Sequence, residues 1–142
     1  MIFSQDRGQL RRFYCRAWKR YKMREELQPL EQLVAEVVAI HPEYHRLLER
    51  EETAAEKEFL PELGESNPFL HLSLHLAIRE QAGCDRPKGI SDLYRRIVSR
   101  TGDIHEAEHR MMECLAEMLW NAQRNGIPPD EDAYLVCLNK YL

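Results

Sequence analysis

The six histidines of this chain fall into three pairs with one spacing: His41-Pro42-Glu43-Tyr44-His45, His71-Leu72-Ser73-Leu74-His75 and His105-Glu106-Ala107-Glu108-His109. Residues four apart lie one above the other on a face of an α-helix. Random placement of six histidines gives roughly 0.2 pairs at this spacing, so three pairs are a signal. Imidazole is the commonest protein metal ligand, and helices build metal sites from inward-facing side chains. The spacing therefore predicts a histidine-rich metal site among helices.

A helical wheel sharpens the ligand set. With His105 at zero, Met111, Met112, Leu115, Met118, Leu119 and Trp120 span an apolar arc from about −140° to +60°. His105, His109 and Glu108 fall inside it, and Glu106 falls near the polar side. A carboxylate in an apolar stripe is costly unless it is paired, hydrogen-bonded or bound to a metal. His71 and His75 share a face with Ile78 and Ala82 in a segment apolar around most of its circumference, which predicts that they point inward. His71, His75, His105 and His109 are the first candidate ligands, and Glu108 follows. His45, Glu49 and Glu52 are further candidates on the preceding helical region. His41 is the weakest, because Pro42 removes a helical hydrogen bond and a restart there would split the first pair.

Two metal chemistries compete. His105-Glu106-Ala107-Glu108-His109 matches the H-E-x-x-H pattern of zinc hydrolases, in which the first glutamate is the general base. Here that glutamate is on the polar side, the motif opens the helix, and no neighbouring strand is legible. The better match is a site of the hemerythrin or di-iron-carboxylate kind, mononuclear or dinuclear, though neither family's full order of motifs is present. The expected cofactor is a divalent ion, with iron, zinc and manganese as candidates. The alternative is an interaction protein with a structural histidine core and a basic first helix that contacts a partner or RNA.

The elements that must carry these residues all read as helices, which predicts an all-α single-domain bundle of five to six helices over 1–142. A basic amphipathic helix covers about 5–24. Histidine-bearing helices cover about 30–55, 68–82 and 104–125, and a last one covers about 130–141. Asn67-Pro68 is a cap followed by a first turn, and Gly83 is the expected stop. Ser91 is the expected cap of a short helix, and Asp103 caps the next, which Gly126 and Pro128-Pro129 end.

At 142 residues the chain can bury a core, and its net charge of −4 is ordinary. The charge distribution is not. Residues 1–24 carry eight Lys/Arg against one Asp, and residues 25–65 carry twelve Glu against two Arg and one Lys. The aromatics Phe13, Tyr14 and Trp18 interleave with these cations, as on a nucleic-acid surface. They cluster on one side of the wheel, however, so the favoured expectation is a basic helix lying on the acidic segment. Nucleic acid is then the disfavoured partner. No apolar run reaches the roughly 18 residues of a membrane span, and Arg11, Arg12 and Arg16 interrupt any leader-like stretch. Cys15, Cys84, Cys114 and Cys137 are scattered without a C-x-x-C, which predicts reduced thiols and a cytoplasmic protein.

Asn67-Pro-Phe-Leu-His-Leu-Ser-Leu-His-Leu-Ala-Ile-Arg-Glu-Gln81 and His105-Glu-Ala-Glu-His-Arg-Met-Met-Glu-Cys-Leu-Ala-Glu-Met-Leu-Trp120 resemble the bacterial family known as domain of unknown function 1841. The resemblance covers nearly the whole chain. It implies a small bacterial, cytoplasmic protein and brings no activity, substrate or assigned residue.

Overall fold

The computed structural model describes residues 7–59 and 66–142. The described residues form eight α-helices and one 3-10 turn: α1 (Arg7–Lys22), α2 (Pro29–Ala39), the turn Pro42–Tyr44, α3 (His45–Leu48), α4 (Glu51–Glu56), α5 (Pro68–Cys84), α6 (Ile90–Thr101), α7 (Ile104–Asn125) and α8 (Glu131–Asn139). None of the described residues is in a strand. The all-α expectation holds, but the helix count exceeds five to six. The difference lies in the region expected as one helix over 30–55. Pro42 cannot donate to the turn before it, so α2 ends at Ala39 and the chain restarts through the 3-10 turn into α3 and then α4. His41 becomes the cap residue before that turn.

The chain divides into two compact units, Met1–Leu72 and Ser73–Leu142, with the division falling within α5. In the first unit α2 begins with Pro29 at its first position, and the Gln28 N–H donates to Glu31 at 2.8 Å. The inner faces bury Tyr14, Ala17 and Trp18 of α1 with Val34, Val37 and Val38 of α2. Arg11 is buried as well. Its guanidinium donates to the carbonyls of Ala54 and Lys57 at 3.1 and 2.6 Å, which satisfies acceptors left open at the end of α4. It also lies over the rings of Phe59 and Phe69.

The basic back of α1 meets the acidic segment. Arg16 pairs with Glu51 at 2.9 Å, Arg20 with Glu31 at 2.7 Å and Lys22 with Glu49 at 2.7 Å, while Arg12 approaches Glu51 at 3.6 Å. Trp18 packs inward and is stacked with Tyr21. The charge asymmetry of the sequence is thus largely an internal pairing.

In the second unit Ile78, Ile90, Ile97, Met111, Leu115, Tyr134 and Leu138 form the core. Two expected signals act differently there. Gly83 lies inside α5, which runs on to Cys84. The cap of α6 is Gly89, at φ 100°, a left-handed conformation that costs glycine little. Ser91 instead sits in the first turn, where its hydroxyl donates to the Ala82 carbonyl. Gly126 ends α7 in the left-handed region, as expected of a C-terminal glycine. The chain then turns back into α8, and this return brings Cys114 and Cys137 together in a disulfide. That corrects the expectation of four reduced thiols, since only Cys15 and Cys84 are free. It also removes the thiol argument for a reducing compartment. Among the described residues no helix is long and apolar enough to cross a membrane.

Candidate metal centre

Asp103 builds the start of α7 by accepting from the His105 N–H at 3.3 Å. This places His105 in the first turn and His109 directly above it. His75 comes from the middle of α5 and is fully buried. Each of these three imidazoles offers one ring nitrogen, and the three nitrogens lie within 4.8 Å of one another. The ring centroids are 4.2 Å apart for His105 and His109, 4.9 Å for His75 and His109, and 5.4 Å for His75 and His105. Nitrogens about 2.05 Å from a tetrahedral ion are about 3.3 Å apart, so side-chain shifts of about an ångström would close the group on one.

The electrostatics suit neutral ligands. Burial holds the His109 pKa below its ordinary value, and the neighbouring His105 and His75 push it lower. A neutral imidazole has a lone pair to give a cation. Glu108 is fully buried beside this group. Its Oε1 accepts from His75 Nδ1 at 2.9 Å, and its Oε2 accepts from Arg79 Nε at 2.8 Å and Tyr94 Oη at 2.6 Å. Burial pushes this carboxyl's pKa up, but the hydrogen bonds from His75, Tyr94 and Arg79 and the Arg79 charge outweigh it and hold the value low. Glu106 is exposed and approaches Arg110 at 3.4 Å. The glutamate that would be the base of a zinc hydrolase is therefore turned to solvent.

In the first unit His41 and His71 form a second pair. The buried His41 donates from Nδ1 to the Val37 carbonyl at 2.7 Å, so its Nε2 carries the lone pair. That Nε2 is 3.1 Å from Nε2 of His71. The spacing suits a hydrogen bond from His71 to His41, and it also suits two ligands of one ion. Helix α5 carries His71 and His75 on successive turns.

The family model described as Domain of unknown function (DUF1841) matches residues 6–140. The chain belongs to the DUF1841 family. No curated protein and no solved structure matches the chain. The remaining expected ligands of this DUF1841 protein, His45, Glu49 and Glu52, belong to the first unit. His45 donates from Nε2 to the Val38 carbonyl at 2.8 Å, and its ring lies against Trp18. Glu49 is exposed and accepts from Lys22. Glu52 is exposed on α4. The break at Pro42 explains the exchange of roles within the first pair. His41, the weakest candidate in the sequence, faces His71, whereas His45 turns toward α1.

Sequence reasoning missed Arg79 and Tyr94. A signal existed for Arg79, which lies one turn after His75 on the same face of α5. A buried glutamate also demands partners, yet the sequence does not say which residues of α5 and α6 supply them.

Proposed function

We propose that this DUF1841 protein binds a divalent transition-metal ion through its histidines, with His75, His105 and His109 as the core ligands. The observation that carries this reading is the convergence of three imidazole nitrogens from two helices within 4.8 Å, in a unit that buries one of them completely. Neutral imidazoles held this close gain little from one another, and an ion satisfies several ring nitrogens at once. Within the first unit, His41 and His71 are a separate candidate pair for an ion.

A set rich in imidazole suits zinc or iron better than manganese, which favours oxygen ligands. Glu108 would contribute charge near the ion. With Glu106 in solvent, a base-assisted zinc hydrolase fits poorly. One observation favours a second reading, in which the histidines form a structural polar core: His41 and His75 already donate to protein acceptors.

Thermal unfolding separates the two. Bound metal stabilises only the folded state, so the right ion should raise the melting temperature of chelator-treated protein. His109→Ala should abolish that rise. Indifference to Zn, Fe, Mn, Ni and Co would favour the structural core.

A further inference from the structure

The metal reading leaves open what the buried Glu108 does, and this inference rests on that reading. An ionised carboxylate can only accept hydrogen bonds. The 2.9 Å contact from His75 Nδ1 to Glu108 Oε1 therefore requires the proton on Nδ1. A neutral imidazole has one N–H, so Nε2 of His75 keeps its lone pair. The carboxylate has no freedom to swing away, because Arg79 Nε and Tyr94 Oη fasten its other oxygen at 2.8 and 2.6 Å. Arg79 lies on the same helix as His75, and Tyr94 approaches from α6. All four side chains belong to one unit.

We propose that Glu108, anchored by Arg79 and Tyr94, is a positioning residue that holds His75 in the Nδ1–H form and presents its Nε2 to the metal ion. The hydrogen bond fixes the ring's orientation and raises the basicity of the ligand nitrogen. Glu108 acts through His75 in this arrangement, since it is not among the side chains whose ligand atoms converge.

Glu108→Gln tests the idea with almost no change of shape. The Arg79 cation draws the amide oxygen toward itself, which turns the amide NH2 toward His75 Nδ1. That nitrogen must then accept, the proton moves to Nε2, and the ligand lone pair is lost. Nitrogen-15 NMR of metal-free protein reads the tautomer directly. Wild type should show His75 protonated at Nδ1, and Glu108→Gln should show it protonated at Nε2. Zinc affinity, measured by competition with a chromophoric chelator, should fall about 10–100-fold in Glu108→Gln. Glu106→Gln, exposed on the same helix, should leave both the tautomer and the zinc affinity unchanged.

The outcomes are distinguishable. A wild type that binds neither zinc nor iron removes the metal reading and this inference together. A wild type that binds zinc, with Glu108→Gln equally tight and still protonated at Nδ1, removes this inference alone. Should Glu108→Gln fail to fold, the wild-type spectrum decides, because His75 protonated at Nε2 would overturn the proposal.

Discussion

Reducing the Cys114–Cys137 disulfide should cost this protein a defined amount of stability. The two cysteines are 23 residues apart in sequence and close a loop from the middle of α7 through Gly126 into α8. In the chain-entropy model, cross-linking a loop of about 24 residues removes about 11.6 cal/mol/K from the unfolded state, or about 3.4 kcal/mol at 25 °C. With an unfolding entropy of about 2.1 cal/mol/K per residue, the whole chain loses about 11 °C in melting temperature. The comparison uses one sequence in two redox states, so no cavity complicates it. Metal-free protein is melted with and without a phosphine reductant, and thiols are counted in denaturant before and after reduction. Two thiols should titrate before reduction and four after it. His105 and His109 lie in the first two turns of α7, before Cys114, so the reduced protein should still take up metal. Four thiols in unreduced protein, or equal melting temperatures for the two forms, would refute the reasoning.

Two further outcomes follow from burial. Cys84 is exposed, whereas Cys15 is buried and its thiol is pushed up to about 11, chiefly by desolvation and then by Glu51. Alkylation of native protein at neutral pH should therefore label Cys84 rapidly and Cys15 only as the fold opens, with peptide mass spectrometry as the readout. The pKa of His109 is depressed in the fold, so the unfolded chain takes up its proton first as pH falls. Its contribution is intact above the unfolded value near 6.5 and is lost as pH drops from there toward the lower folded value. The stability of metal-free protein, followed by denaturant midpoint, should decline through that window, and His109→Gln should flatten part of the decline.

Much of the helical framework was legible because its signals are local. Asn67-Pro68 opens α5, with the Asn67 carboxamide accepting from the Phe69 N–H at 2.9 Å, and Asp103 caps α7 as its sequence implies. The wheel separated Glu108 from Glu106 correctly, because the direction of a helix face follows from spacing alone. It overreached at the far end of α7, where Leu119 and Trp120 are exposed and Trp120 lies beneath Arg124 instead of in the core. Long-range partners were not legible. The Cys114–Cys137 bond and the Tyr94–Glu108 contact depend on how helices return on one another, which spacing does not encode. His41 and His45 exchanged roles because Pro42 broke the helix that would have kept them on one face.

The most direct test of the central claim is the metal content of the protein purified without a histidine tag or chelating column. Mass-spectrometric elemental analysis should find about one transition-metal ion per chain, or two if the site is dinuclear, with zinc or iron predominating. His75→Ala and His109→Ala should come out depleted, and Glu106→Gln should keep the wild-type content. Wild-type protein that is metal-free as purified, and still metal-free after incubation with zinc and with ferrous iron, would contradict the account.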